Sequence, residues 1–516
     1  MSTYDFVVVG AGSAGSVVAR RLAENTDASV LVLEAGGTEI PANSTNPSTW
    51  FMLLGSDVDW GYASVPQPGL NGRRTYEPRG KVIGGTGQMH LMMHIRGHPE
   101  DYDNWAYNGC PGWSYEDVLP LFKKVERQED DTSPWAGHDG LIDVLNAGKH
   151  DHHPLSPVFI EACRELGYPS TEDFNGPQME GTGWHHIDVT AHPDGSYTRC
   201  SPAVTYLQPA LAWPNLTMAS NAQVTRLLFD GRQQRVIGVE YMQDGLPQRA
   251  FANLEVVVCS GAMESPHVLL NSGIGAAQHL SEFGKPVIVD LPGVGRNYHN
   301  HVLTGLIAET KEPVAPGKLN TSEAALFCKS DPHYPVPDLQ FNFVHLPFDI
   351  IIGQANPNSV SLIPGLQQPL SRGWVRLASS DPLEKPLVNP NYLAVDHDVQ
   401  RMKRLVEIGR EIFATRAFAK VLTGRELLPG PEYTTDDDLI RFVRERCDSY
   451  HHQVGSCKMG QDELAVVDPQ LRVYGVDGLR IADASVMPSI VTGNIHTGIL
   501  MIAEKCAELV KQAHGL

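Results

Sequence analysis

Tyr4-Asp5-Phe6-Val7-Val8-Val9-Gly10-Ala11-Gly12-Ser13-Ala14-Gly15 is the stretch whose reading decides the fold. Its first half is apolar and β-branched, the pattern of a buried parallel strand that ends in a glycine turn. A helical stretch, Ser16 to Asn25, follows. In such a unit Gly10 makes the turn, the bare backbone of Gly12 lets a diphosphate approach, and Gly15 lets the helix lie on the strand. Ser13 and Ala14 sit where the free N–H groups and partial positive charge of the helix face phosphate. A second strand, Ser29 to Leu33, runs into Glu34 and Ala35, about 20 residues on, where an acid holds ribose hydroxyls. The unit predicts a Rossmann-like dinucleotide site and does not by itself separate NAD from FAD.

Working outward, the chain has 516 residues, enough for a sizeable core, with 42% hydrophobic and 19% charged residues. Forty Lys and Arg against sixty Asp and Glu give a net charge of −20, which argues against nucleic-acid binding. The eight cysteines are scattered with no Cys-x-x-Cys pair, so neither disulfides nor a zinc site is expected. His150-Asp151-His152-His153 is too short a loop for its rings to converge on a metal, and the expectation is no metal. No signal-peptide pattern precedes the first strand, and no apolar run reaches roughly 18 residues. These features predict a reduced, cytoplasmic protein with no membrane span; they leave the oligomeric state undetermined.

Three later motifs choose the cofactor. Arg79-Gly80-Lys81-Val82-Ile83-Gly84-Gly85-Thr86 is a glycine-rich loop suited to a flavin or its phosphates. Val256-Val257-Val258-Cys259-Ser260-Gly261-Ala262 reads as a buried strand ending in small residues, continued to Gly275. Gly478 to Pro488 contains Asp483-Ala484-Ser485. Together they resemble the glucose–methanol–choline (GMC) oxidoreductases, from residue 4 to about 510. The resemblance implies FAD, bound by the glycine turn, Glu34, the 79–86 loop, Val224 at the adenine, Ser260, Gly261, Asp483, Ala484 and Thr497. It implies an α/β fold with a discontinuous FAD domain (1–155, 195–300 and 446–516). A substrate domain (156–194 and 301–445) would carry an antiparallel sheet backed by helices. Trp374–Leu377 and Asp338–Phe343 alternate like half-buried strands, and Asp398 to Phe413 has helical spacing.

The same resemblance implies oxidation of an alcohol carbon: hydride goes to the flavin and a base takes the hydroxyl proton, a task suited to histidine. Tyr450-His451-His452-Gln453-Val454-Gly455-Ser456 resembles the family's active-site strand and places the base on His452. His496, in Thr492-Gly493-Asn494-Ile495-His496-Thr497-Gly498, falls where relatives carry Asn or His. Met89 stands where relatives with covalent flavin carry histidine, so the FAD is expected to be non-covalent. His90 resembles the histidine of aryl-alcohol oxidases and either touches the flavin or caps its loop. Trp50, Glu309, Phe348 and His451 are candidate substrate contacts, aromatic faces and a carboxylate being one way to hold a quaternary ammonium. Against a choline pocket stand His451 and His496 in place of Tyr and Asn, and Asn342 in place of a pocket histidine. The expected activity is oxidation of a primary alcohol to an aldehyde, with oxygen or another acceptor taking the electrons. Sugar hydroxyls, or a hydroxynitrile-lyase-like reaction without net redox, are the alternatives.

Overall fold

The computed structural model describes residues 2–129, 132–346 and 356–516. Strand β1 (Ser2–Val9) leads into helix α1 (Ser13–Ala23) and then strand β2 (Val30–Leu33). Phe6–Val9 and Val30–Leu33 are all buried, each such side chain stabilising the fold by about 1.5–3 kcal/mol. The sheet is completed by β3 (Leu216–Ala219), β4 (Ala222–Phe229), β5 (Val236–Gln243), β6 (Leu246–Val258) and β7 (Leu479–Ile481). The order is β3-β2-β1-β6-β5-β4, with β7 paired to β6. Strand β6 is long because it serves two purposes. Leu246–Phe251 pairs antiparallel with β5, Ala250–Val258 runs parallel to β1, and Val256–Val258 runs parallel to β7. Helix α2 (Gly261–Asn271) follows β6, and helix α3 (His496–His514) lies beside α1, where Arg21 Nε is 2.9 Å from both carboxylate oxygens of Glu504.

Among the described residues the second sheet has eight strands, all paired antiparallel: Leu422–Leu428, Leu306–Thr310, Ser359–Leu366, Leu339–Val344, Ala324–Cys328 and Gly181–Trp184 in that order, with Val302–Leu303 and Asp448–Ser449 added beside Ser359–Leu366. Helix Asp396–Phe413 backs it: Val399, Met402 and Leu405 share a core with Leu306, Phe341 and Leu362. The fold is therefore mixed α/β, a Rossmann-like layer joined to an antiparallel sheet with helices.

One expectation needs correction. Leu339–Val344 is buried along its whole length rather than half-buried. Its alternate polar residues face a seam between the sheets, not water: Gln340 Nε2 is 3.4 Å from Asn494 Oδ1 and His185 Nε2 is 3.0 Å from Asn342 Oδ1. Trp374–Arg376 pairs only with Leu387–Asn389, outside the main sheet. Strand Asp448–Ser449, assigned by sequence to the first domain, pairs with Val302–Leu303 of the second sheet. The segment carrying His452 thus leaves the second sheet and runs on to Ala484, whose carbonyl accepts the Gly455 N–H at 3.2 Å. Among the described residues no helix is long and apolar enough to cross a membrane.

Candidate active site

The glycine turn is built by close approach. Gly10 has φ +99°, and a Cβ there would lie 2.7 Å from the Cys259 carbonyl oxygen. A Cβ on Gly15 would come 1.8 Å from the Gly10 carbonyl oxygen, so Gly15 serves helix contact and lines no cavity. Glu34 is buried; its Oε2 accepts the Ala11 N–H and its Oε1 the Gly36 N–H, both at 2.8 Å. Burial pushes its pKa up to about 7, against those two bonds and the charge of Lys81. The 79–86 loop lies across the turn, with the Gly84 N–H donating to the Ala11 carbonyl at 2.7 Å and Val82 bridged to Gly37.

A first cavity follows the turn. The β1–α1 segment contributes Gly10, Gly12, Ser13 and Ala14, and the end of β2 contributes Glu34 and Ala35. Arg79, Gly85 and Thr86 come from the loop, and Val224, Ser260, Gly261, Asp483 and Ala484 from later chain. Asp483 is held in place by the Gly261 N–H at 2.8 Å and the Ser485 N–H at 2.8 Å. Val82, Gly84 and Thr497 line neither this cavity nor the second one described below, which corrects their expected place at the cofactor.

A second cavity of about 460 Å³ adjoins the first and shares Ser13, Arg79, Thr86 and Ile499 with it. His90, His451, His452 and His496 all line it. The hydrogen bonds of His452 fix its tautomer. His301 Nε2 lies 3.0 Å from the Gln367 carbonyl oxygen, which only accepts, so that nitrogen carries the hydrogen. Burial pushes the His301 pKa down to about 3, so the ring is neutral and its Nδ1 is a lone pair. His452 Nδ1, 3.0 Å away, must then donate to it. The lone pair of His452 is therefore at Nε2, where it accepts from the Asn494 amide N–H at 3.2 Å. Burial, with His301, His451 and Arg79 nearby, holds the His452 pKa well below the usual histidine range. Its backbone is pinned by Asn300 Oδ1, which accepts the His452 N–H at 2.8 Å.

His496 begins α3 and has different partners. Its Nδ1 is 3.2 Å from Asp188 Oδ2, its Nε2 is 3.0 Å from Ser13 Oγ, and its ring lies 4.0 Å from that of His90. His90 accepts the Met92 N–H through Nδ1 at 3.1 Å, and its Nε2 is buried without a partner. Ligand atoms of His90, Asp188 and His496 lie within 4.8 Å of one another, close enough for a metal ion. The positive charges of His94 and Arg199 beside Asp188 oppose a cation there.

The substrate candidates divide. Trp50 lines the second cavity and donates from Nε1 to Thr321 Oγ1 at 3.1 Å; His451 lines it with φ +66°. Glu309 does not line it, which corrects the expectation of a carboxylate beside the substrate. On its strand Glu309 turns away from the cavity to an ion pair with Arg425 at 3.3 Å and a bond from Thr423 at 3.0 Å. Leu303, on the preceding strand, is the residue that reaches the cavity wall. Phe348 lies outside the described residues. Sequence reasoning missed His301, Asn494, Tyr450 and Asp188. Asn494 and Tyr450 stand inside the quoted motifs and are legible there; His301 and Asp188 carry no local signal.

Comparisons with known proteins identify the family. Models of the family described as GMC oxidoreductase match residues 4–303 and 369–503. The chain belongs to the GMC oxidoreductases. This GMC chain is 40% identical to mitochondrial choline dehydrogenase of Homo sapiens, over 98% of the chain and 90% of that protein. It is 38% identical to the oxygen-dependent choline dehydrogenase of Escherichia coli, over 99% and 96%. The solved structure of pyridoxine 4-oxidase from Mesorbium loti superposes with a TM-score of 0.92 at 32% identity, covering 99% of each chain. As a GMC oxidoreductase, the protein is an FAD-dependent enzyme acting on an alcohol group.

The residues present fit FAD. A Cβ at Gly12 would meet no protein atom nearer than the Gly85 Cα at 3.9 Å, leaving the space a diphosphate needs. Helix α1 starts there without a side-chain cap, so its first N–H groups are free for phosphate oxygens. The four residues common to both cavities mark where the GMC flavin ring would meet the substrate.

Proposed function

We propose that this enzyme oxidises a neutral primary alcohol to its aldehyde, with His452 as the base. The observation that carries this reading is the Gln367–His301–His452 hydrogen-bond chain, which leaves the Nε2 lone pair of His452 in the cavity. FAD, when bound, supplies a hydride acceptor at N5. The alcohol O–H takes the place of the Asn494 amide at His452 Nε2 and donates to that nitrogen, which takes the proton as the C–H hydride departs. The Asn494 amide and His496 flank the same oxygen and hold it in place. His301 supports the resulting imidazolium by accepting from Nδ1.

The substrate's charge follows from the walls. Near the histidines they are Trp50, Leu91, Leu303, Ile363 and Tyr450; the charged lining is Arg73, Arg79 and Arg446 against Glu445 and Asp448. Such a wall offers no net negative charge to a cation, which favours an alcohol with a neutral, apolar or aromatic body. Choline is the second reading, favoured by the names of the relatives at 38–40% identity. A lyase without net redox is not favoured by those relatives. The cytoplasmic location is supported by eight cysteines that are all buried and unpaired.

The test is anaerobic mixing of the yellow enzyme with neutral aromatic and aliphatic primary alcohols, choline and a sugar. Neutral primary alcohols should bleach the flavin fastest. Faster bleaching by choline replaces the neutral reading, and bleaching by the sugar alone removes the primary-alcohol reading. Peroxide release on readmitting air then separates an oxidase from a dehydrogenase. His452→Ala should slow bleaching by about 10²–10⁴ with the flavin spectrum unchanged. A variant within a few-fold of wild type removes His452 as base. His496→Asn should lose less.

A further inference from the structure

His94 and Asp188 lie behind the substrate cavity and form a buried line of charge that ends at His496. His94 Nδ1 is 2.6 Å from Asp188 Oδ1, and its Nε2 is 2.9 Å from Glu126 Oε1. Carboxylate oxygens of ionised acids only accept, so both ring nitrogens carry hydrogen and His94 is an imidazolium. Burial opposes that charge, but Asp188 and Glu126 outweigh it and push the pKa up to about 9. Glu126 Oε1 also accepts from Arg96 Nε at 2.6 Å, and its Oε2 accepts from Gln128 Nε2 at 3.0 Å and the Gly137 N–H at 3.2 Å. The sequence of charges is Arg96 positive, Glu126 negative, His94 positive, Asp188 negative. Its last free acceptor, Asp188 Oδ2, lies 3.2 Å from His496 Nδ1.

We propose that Asp188, anchored by His94, is a positioning residue that keeps the Nδ1 hydrogen on His496 and makes Nε2 the only nitrogen of that ring to gain or lose a proton. Neutral His496 then accepts from the Ser13 hydroxyl, as the 3.0 Å contact allows. Protonated His496 donates from Nε2 to the substrate oxygen, the hydrogen bond that a developing alkoxide needs. Without the carboxylate, the ring is free to take the other tautomer, and its charged form loses its counter-charge. The groups that face His496 are Asp188 and His94 behind it, His90 stacked on it, Arg199 beyond Asp188, and His452 across the cavity. Of these only Asp188 is negative, and it is the one that accepts from the ring.

This inference rests on the reading of His496 as a group at the substrate oxygen, and its test separates the two. The FAD-loaded enzyme is labelled with ¹⁵N-histidine, and the His496 signals are assigned by their loss in His496→Gln. The expected pattern in wild type is hydrogen on Nδ1 and a free Nε2 in the neutral ring. Hydrogen on Nε2 alone overturns the proposal, whether or not an alcohol is ever found to react. Asp188→Asn should change that pattern and slow anaerobic flavin reduction by roughly tenfold or more with the flavin spectrum unchanged. Asp188→Glu should restore the Nδ1-hydrogen pattern, which a purely structural loss would not. A fully folded Asp188→Asn enzyme with wild-type tautomer and rate overturns it. If that variant does not fold, the wild-type tautomer decides alone.

Discussion

Two glycines three residues apart in the same turn should fail in opposite ways. At Gly15 an added Cβ meets backbone at 1.8 Å, which no side chain can relieve. Gly15→Ala should cost at least the roughly 1–3 kcal/mol typical of overpacking, visible as a lower urea midpoint of the apoprotein. At Gly12 the protein leaves room to 3.9 Å. Gly12→Ala should therefore lower apoprotein stability by only about 1 kcal/mol, the difference between glycine and alanine at an N-cap. It should nevertheless release FAD on gel filtration; a Gly12→Ala enzyme that stays fully yellow would place the diphosphate elsewhere. These positions were readable in the sequence because a tight turn is local: its glycines and the acid after β2 fall at fixed offsets. Glu309 was misread because facing depends on strand register, and a neighbouring strand, through Leu303, supplies the wall instead. Asp188 and His301 were invisible because their partners lie far away in the chain, 308 residues for Asp188–His496 and 151 for His301–His452.

Among the elements, α3 matters most, because His496 is its first residue and must be held still. Its seat is Glu504, fully buried, bonded by Arg21, by Tyr206 at 3.1 Å and by Lys124 at 3.0 Å. Arg21 and Lys124 keep side-chain exposures of 15% and 38%, so both can turn to water when the acid is lost. Glu504→Gln should then cost about 1–3 kcal/mol in urea unfolding rather than the larger penalty of a stranded buried charge. The short strand His186–Ala191, which carries Asp188, is tied by His94, and this tie is pH-dependent. The unfolded chain releases the His94 proton near 6.5, the folded protein near 9. Between those values the folded state binds more protons, so the contribution is complete below pH 6.5 and fades as pH rises to about 9. It amounts to a loss on the order of 3 kcal/mol. His94→Gln should flatten that part of the stability profile; an unchanged slope would show that His94 is not charged. Element types were legible from periodicity, as in the helix Asp396–Phe413, whereas strand burial was not. The alternation of Leu339–Val344 records a polar seam between two protein layers, and a single sequence cannot tell a seam from solvent.

For the molecule as a whole, the site is a product of assembly: FAD is expected between segments drawn from both ends of the chain, held without a covalent bond. The Met89 thioether has no N–H or S–H to exchange for a neutral bond to the flavin, so acid precipitation should leave all the yellow colour in the supernatant. Colour in the pellet would disprove the non-covalent attachment. The same interleaving has a consequence in time. Strand β1 is made first, but the β7 strand beside β6 and the α3 helix beside α1 are made last. At about 5–20 residues per second, β1 waits roughly 25–100 s on the ribosome before its sheet and its helical cover are complete. During that interval the Val256–Val258 edge of β6 has no neighbour and invites wrong pairing. Synthesis that stalls before residue 479 should thus yield a chaperone-bound chain rather than a flavin-free enzyme, and slower, cooler expression should raise the fraction that emerges yellow.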